Sequence, residues 1–434
     1  MNRYQNKKIA IYGMGATGHS VAQVLEKLNT EITCWDDNVK IRNNLKKLKV
    51  NVNKFWKKKE IIDFIVISPG IDINSCKIKN YLNKNIKKII TDIDIFFELN
   101  KKNTIISITG TNGKSTTCKI IEKILKAAKY NVKTVGNIGT PVLTAGMKNK
   151  KKIFILEISS YQLQYSKQFK SHHAAILNIS PDHLERHKNM NNYIKIKSKI
   201  FFSQENKDYS YINQENKYYK HIKRIYKNKK IKSKLFLIKK SQYKTVLKKI
   251  NNTYFESLGN IENLCFAYTI AKKFKIKDDV IIKAINNFTG LPHRQEVIFS
   301  NKKVLCVNDS KATSFDAALQ SLSKFENIYW ILGGVPKYKD HFNAHKVKKS
   351  VIRAYLIGKN VSFFKKKIKN IINYKVSNTL QNAIINIFKD IRIDKNLKST
   401  ILFSPAAASF DQFVNFENRG NFFKKIMFKK FRKN

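Results

Sequence analysis

The chain is poor in residues that break or staple structure: of 434 residues, six are proline, 15 glycine and five cysteine. That little proline and glycine excludes collagen-like and low-complexity architectures. The cysteines (Cys34, Cys76, Cys118, Cys265, Cys306) are scattered, with no C-x-x-C pair. This excludes a disulfide scaffold and a zinc site and fits a reduced compartment. No apolar run reaches the ~18 residues needed to span a bilayer, so no membrane insertion is expected. The first residues lead into a strand pattern and a glycine turn rather than an apolar leader, and a cytoplasmic location is expected. Acidic residues are scarce too: 30 against 85 basic ones, for a formal charge of +55. Of the basic residues only nine are arginine (3, 42, 186, 224, 294, 353, 392, 419 and 432). Specific nucleic-acid recognition favours arginine for bidentate phosphate and base contacts. Here lysine is spread along the chain among isoleucine and asparagine, all three encoded by A/T-rich codons. The excess therefore reads as compositional drift, with no specific nucleic-acid partner.

What is present suffices for packed cores. Hydrophobic residues make up 42% and aromatics 12% of the chain, and at ~100–200 residues per domain the length predicts two to four domains. The apolar runs alternate with helical spacing. Strands are expected at Lys8–Tyr12, Glu31–Trp35 and within 61–68, with a helix over Val21–Leu28. A second series starts at Thr104–Thr109 and continues through a helix (Lys119–Lys129) and strands at Lys152–Ile158 and Ala174–Asn178. A third follows residue 292, with strands at Val304–Asn308, Ile328–Leu332, Ala354–Ile357 and Ser399–Ser404. Such alternation predicts parallel sheets. The economical reading is three α/β domains, 1–93, 94–292 and 293–434. The Lys/Asn/Tyr-rich stretch 203–257 is weakly patterned and reads as strands or loops of a peripheral lobe.

Two phosphate-cradling loops stand out. Gly13-Met14-Gly15-Ala16-Thr17-Gly18 is a complete G-x-G-x-x-G between a strand and a helix, with Asp36 and Asp37 at the end of the next strand. Glycines there let backbone approach a diphosphate at a helix N-terminus, and the acid faces ribose hydroxyls. The second loop, Gly110-Thr111-Asn112-Gly113-Lys114-Ser115-Thr116, also joins strand to helix. Its amides suit phosphates, Lys114 the β/γ oxygens and Ser115 a Mg²⁺ ion. A dehydrogenase needs only the first loop and a simple ATPase only the second. Glu157, at a strand end beside the second loop, is placed as a metal ligand would be. In the helical stretch 191–202, Lys197 shares a face with Tyr193, Ile194, Ile200 and Phe201, whereas Lys195 falls among polar neighbours and is expected in solvent.

The blocks TGTNGKSTT (109–117), GMGATGHS (13–20), SPGI (68–71), GNIGTP (136–141), EISSYQL (157–163), NISPDHLERH (178–187), GLPHR (290–294), NDSKATS (308–314) and SPAAASFDQFVNFENRGNFF (404–423) occur in order over nearly the whole chain. Together they resemble the Mur ligases, the ATP-dependent amide-forming enzymes of peptidoglycan synthesis. NDSKATS and the C-terminal block resemble the D-glutamate-adding branch. A folylpolyglutamate-type ligase would share the ATP loop but lack the first glycine turn and NDSKATS. The resemblance implies an N-terminal Rossmann-like UDP-binding domain, a central P-loop ATPase-type domain and a C-terminal Rossmann-like domain. It implies ATP and Mg²⁺ as cofactors, UDP-MurNAc-L-Ala and D-glutamate as substrates, and a monomer. It places Lys114, Glu157, His183 and Lys197 in catalysis, with Ser115, Glu157, His183 and a carbamylated Lys197 at metals; Lys199 is the alternative site of carbamylation. ATP would meet Gly110–Thr116, Asn260, Asn263, Arg294, Asp309 and Lys311, although the histidine that usually precedes the first asparagine is missing. The UDP substrate would meet Gly15, Ala16, Thr17, Asp36, Asp37, Gly70, Asn137 and Ser159. D-Glutamate would meet Thr313, Lys337 (with Lys339 as competitor), Ser409 and Phe416. Read without the family, Ser409 would be a helix N-cap and Phe416 plain core.

If the charge is drift, RNA binding rests on nonspecific phosphate contacts and counterion release. A filter-binding titration should show weak binding that drops steeply between about 50 and about 200 mM salt. Sequence-selective binding that survives the higher salt would overturn this reading.

Overall fold

In the computed structural model residues 3–47, 50–57, 61–136, 141–145, 151–337, 340–393 and 398–431 are described. The chain forms two compact units: residues 1–179, 184–247 and 263–285, and residues 180–183, 248–262 and 286–434. The first unit holds two sheets. One is built from β1 (Lys8–Tyr12), β2 (Glu31–Trp35), β3 (Asn51–Val52), β4 (Phe64–Ile67) and β5 (Ile89–Ile90), in the order β3-β2-β1-β4-β5 and all parallel. The other contains β6 (Thr104–Thr109), β7 (Val132–Gly136), β8 (Ile153–Glu157), β9 (His173–Ile176), β10 (Tyr209–Asn213) and β11 (Lys234–Ile238), in the order β11-β10-β9-β6-β8-β7, again parallel.

The second unit holds a sheet of β12 (Glu296–Ser300), β13 (Val304–Asn308), β14 (Ile328–Gly333), β15 (Val351–Ile357), β16 (Tyr374–Asn378) and β17 (Ser399–Phe403). Its order is β12-β13-β17-β14-β15-β16, and only the β12–β13 pair is antiparallel. Helices cover both faces, so the central strand β14 (IYWILG) is apolar and buried along its whole length, whereas the edge strands β12 and β16 carry exposed polar residues. Trp330, Leu332, Ala354, Leu356 and Leu402 point to one core, and Tyr329, Ile331, Tyr355, Ile357, Ile401 and Phe403 to the other.

The expected strands lie at their places or within three residues of them, with Lys8–Tyr12, Glu31–Trp35, Thr104–Thr109 and Val304–Asn308 unchanged. The stretch 203–257 differs from the expected peripheral lobe. Tyr209–Asn213, the helix Tyr219–Asn228 and Lys234–Ile238 form one more strand–helix–strand unit at the edge of the second sheet. Its pattern is hard to read because the helix YKHIKRIYKN buries only Ile222 and Tyr226. Lysine occupies three of its other eight positions. Among the described residues only two lysines are buried, Lys170 and Lys197.

Buried carboxylates anchor key turns. In the first unit Asp94 caps the helix Asp92–Leu99 through the Thr91 N–H and hydroxyl. Its other oxygen accepts from the Ser166 hydroxyl and the backbone N–H groups of Lys167, Gln168 and Phe169. In the second unit Asp309 accepts from the Ser321 hydroxyl (2.6 Å), the Ser404 hydroxyl (2.9 Å) and the Gln295 N–H (3.2 Å). Burial nevertheless pushes its carboxyl up to about 6.

A carboxyl with a raised native pKa binds its proton more tightly in the fold than in the unfolded chain. Its contribution is therefore greatest below the unfolded value near 4 and falls as pH rises through about 6. Asp309→Asn should remove this slope. In urea unfolding at pH 4.5 and 6.5, the variant should lose less stability between the two pH values than the parent. Equal losses would show that Asp309 titrates normally.

Candidate active site

The strand β6 lies between β8 and β9, and this register assembles the second loop's surroundings. Ile108 pairs with Glu157 on one side, and Thr109 with Ile176 on the other. The chain then turns through Gly110–Gly113 into the helix Lys114–Ala127, which packs on β7 and β8. Gly113 is left-handed (φ 82°), and a Cβ there would fall 2.1 Å from the Asn263 Oδ1. The glycine is thus needed for both conformation and space.

The side chains the sequence pointed to converge on this turn. Lys114 Nζ donates to the carbonyls of Gly110 (2.9 Å) and Thr111 (2.8 Å). The Ser115 hydroxyl donates to Glu157 Oε2 at 2.5 Å, and both residues are buried. Thr116 is buried in the first turn of the helix. Lys197 is only 2% exposed. Its Nζ reaches the Gly110 carbonyl (2.9 Å) and the Thr109 hydroxyl (3.4 Å) and lies 4.9 Å from the centre of the Tyr193 ring. The helix over Met190–Ser198 therefore turns Lys197 inward and leaves Lys195 exposed, as its spacing implied. Lys199, the alternative, donates to the Gln164 carbonyl instead (2.8 Å), and burial lowers its pKa to about 8. Asn263 sits against the loop, 3.2 Å from the Thr117 hydroxyl.

Further residues complete this cluster; Asn178 and Arg186 were not singled out from sequence, and Tyr193 only as a neighbour of Lys197 on its helix face. Asn178 braces the loop from β9: its Oδ1 accepts from Asn112 N–H (2.8 Å), its Nδ2 donates to Asn112 O (3.2 Å), and its carbonyl accepts from Thr111 N–H (2.9 Å). The Tyr193 and Thr111 hydroxyls meet at 3.3 Å. Arg186 donates to Gln164 Oε1 (2.8 Å) and to the carbonyls of Gly70 and Ile71, fastening the SPGI turn to the helix Ser160–Tyr165. Asn178 and Arg186 stand inside a quoted block, but only the packing reveals what they hold.

The first glycine turn follows β1. Gly15 caps the helix Ala16–Glu26, and Gly15, Ala16 and Thr17 are exposed or half-buried at its mouth. A Cβ on Gly18 would lie 2.1 Å from the Gly13 carbonyl, so the helix start rests directly on the turn. Asp36 accepts from Met14 N–H (2.7 Å) and Asp37 from the Tyr12 hydroxyl (2.7 Å). The two acids therefore brace the turn as well as facing its rim. Arg42 lies 4.3 Å over the Trp35 ring beside them, a flat platform the spacing did not announce. Gly70 is exposed on the neighbouring turn. Ser159 caps the helix Ser160–Tyr165. Asn137 and Lys339 lie outside the described residues.

In the second unit, Lys311 lies 4.1 Å over the Phe416 ring, with Thr313 half-buried nearby in sequence. Lys337 pairs with Asp182 at 2.6 Å. Asp182 also accepts from the His183 N–H (3.0 Å), and the His183 ring nitrogen is 3.5 Å from its other oxygen. His183 adopts φ 54°, a strained backbone for a non-glycine residue and one that clusters at functional sites. The reciprocal Val335–Ala408 bridge joins the Lys337 segment to the loop of Ser409. Ser409 is buried in a turn and is no helix N-cap, since the next helix begins at Phe416. Phe416 is half-buried at that helix start rather than plain core. Arg294 is half-buried, Asp309 is wholly engaged as described above, and Asn260 donates to the Tyr254 carbonyl (2.8 Å).

Among the described residues no group of three or more His, Cys, Asp or Glu side chains is arranged to hold a metal. The Ser115–Glu157 pair does fit Mg²⁺, which takes hard oxygen ligands, usually few from protein and the rest from water and phosphate. Lys197 would fit only as a carbamate, since an ammonium offers no lone pair.

The chain matches the Mur ligase middle domain over residues 108–277 and the Mur ligase MurD-like N-terminal domain over 7–90. It is 37% identical to the UDP-N-acetylmuramoylalanine–D-glutamate ligase of Rickettsia prowazekii, covering 98% of this chain and 99% of that protein. The counterpart from Rickettsia felis is 36% identical, with 98% of each chain covered. Among solved structures it resembles MurF from Acinetobacter baumannii (TM-score 0.60, 13% identity, 97% and 94% covered). It also resembles the MurF ligase from Thermotoga maritima in complex with ADP (TM-score 0.59, 14% identity, 99% and 96% covered).

Asn178→Ala should loosen the loop by removing two side-chain hydrogen bonds, about 1–2 kcal/mol or roughly tenfold in nucleotide affinity. Calorimetric titration with ADP, set beside a thermal melt, checks this. Unchanged affinity would show that the loop holds itself.

Proposed function

This chain belongs to the Mur ligase family, in the branch of the UDP-N-acetylmuramoylalanine–D-glutamate ligases, and we propose that it joins D-glutamate to UDP-N-acetylmuramoyl-L-alanine using ATP. The observation that carries this reading is the glycine loop with Lys114, Ser115 and Glu157 converging at the ends of β6 and β8, in a chain that also keeps a separate glycine turn for a second diphosphate. The L-alanine carboxylate takes the γ-phosphoryl group of ATP, giving an acyl phosphate and ADP. The D-glutamate amine then attacks that carbonyl, phosphate leaves, and the amine's proton is released. The protein's part is largely positioning and charge neutralisation.

Lys114 trades its two loop carbonyls for phosphate oxygens. Ser115 and Glu157 would hold Mg²⁺, which would offset phosphate charge. CO2 adds to Lys197 Nζ with loss of two protons from the ammonium group, turning a buried cation into an anion beside Gly110; His183 would be the further metal-linked group. Asn260, Asn263, Arg294, Asp309 and Lys311 serve the nucleotide, with Asp309 acting by fixing the strand end. Gly15, Ala16, Thr17, Asp36, Asp37, Gly70, Asn137 and Ser159 receive the UDP substrate. Thr313, Lys337, Ser409 and Phe416 receive D-glutamate, with Lys337 leaving Asp182 for the substrate carboxylate. Residues 1–93, 94–292 and 293–434 carry UDP-substrate, ATP and D-glutamate binding respectively. The enzyme works in the cytoplasm as a monomer, with no nucleic-acid requirement.

Phosphate release with UDP-N-acetylmuramoyl-L-alanine should require D-glutamate and be absent with L-glutamate or L-lysine. Lys114→Ala should abolish turnover while leaving UDP-substrate binding in place, because the two diphosphate sites are built on different sheets. Lys197→Ala should cripple turnover with no rescue by bicarbonate. Activity with L-lysine in place of D-glutamate would overturn the substrate assignment.

A further inference from the structure

Asp92 begins the helix Asp92–Leu99 with its side chain buried, and that carboxylate has an unusual environment. One oxygen, Oδ2, accepts from the Gln162 side-chain amide at 3.3 Å. The other, Oδ1, is buried with no hydrogen-bond partner. A buried carboxylate left half-satisfied is costly, and a neutral side chain of the same shape would be cheaper. Its hydrogen bond gives it a task, to accept from the Gln162 amide.

The task is legible at the other end of Gln162. Ser159 and Gln162 form a reciprocal cap: Gln162 Oε1 accepts from the Ser159 N–H and from the Ser159 hydroxyl, both at 3.1 Å. The Gln162 N–H in turn donates to the Ser159 oxygen at 3.3 Å. A carboxylate can only accept, so Asp92 draws the NH2 end of the Gln162 amide toward itself and leaves the oxygen for Ser159. The single Ser159 hydroxyl proton is thereby spent on Gln162. What Ser159 keeps for a ligand is a lone pair.

We propose that Asp92 is a positioning residue for the UDP-linked substrate: acting through the Gln162 amide, it fixes the Ser159 hydroxyl as a hydrogen-bond acceptor for an N–H or O–H of that substrate rather than as a donor to a phosphate or carboxylate. The inference rests on the substrate-side role given to Ser159 above. Gln162 and Asp92 touch no substrate in this scheme. Their effect is confined to the direction of one proton.

The test is steady-state kinetics on the full chain. Asp92→Ala should raise KM for UDP-N-acetylmuramoyl-L-alanine about fivefold to tenfold, with KM for ATP and D-glutamate held within about twofold. Asp92→Asn, which can present its carbonyl to Gln162, should recover most of the loss. In a Ser159→Ala background, Asp92→Ala should add nothing further, because the group it orients is gone; a merely structural role would give additive losses. Additive losses, or a uniform rise in all three KM values with a lowered melting temperature, would overturn the proposal. So would a Ser159→Ala variant with unchanged KM for the UDP substrate. Absence of any ligase activity in the parent chain would instead sink the functional reading, so the two failures are distinguishable.

Discussion

The first unit's chemistry depends on the position of β6 between β8 and β9. In a parallel sheet all strands end at the same edge, and ligands collect outside those ends. Here that rule has a specific form. The strand β6 delivers the glycine loop, β8 delivers Glu157 to the Ser115 hydroxyl, and the residues after β9 deliver Asn178 to the loop's own amide and carbonyl groups. A one-strand change in order would leave the loop's polar backbone without these partners. A one-residue slip of β8 would turn Glu157 to the other face. The glycine loop is thus a product of sheet topology as much as of its own sequence.

Among the described residues, buried charged groups tie distant segments together at turns. Asp94 gathers six donors from two segments far apart in sequence, and Asp309 gathers three. Lys197 places a long cationic side chain against the carbonyl that opens the ATP loop. These arrangements contrast with the lysine-rich exterior, where ion pairs are mostly exposed and contribute little individually. A composition as skewed as this one is compatible with a packed fold because the lysine excess lies at solvated positions such as those of the helix Tyr219–Asn228. The segments 157–163 and 404–412 carry no lysine.

Sequence alone determined the α/β alternation, two diphosphate loops and the inward face of Lys197. Each is a local or short-period property: glycine spacing at a strand–helix junction, period-two and period-3.6 apolar patterns, and i±3/i±4 neighbours on one helix. It was weakest where few positions are fully buried, as in 203–257, whose helix buries two residues and whose edge strand Lys234–Ile238 buries one. Only the tertiary structure decided which distant groups meet. The bracing of the loop by Asn178, the fastening of SPGI by Arg186, the pairing of Lys337 with Asp182 and the line from Asp92 through Gln162 to Ser159 all join segments whose separation is fixed by sheet order. Hydrogen bonds of this kind are short-ranged and directional, so no spacing along the chain encodes them until the strands are paired and in register.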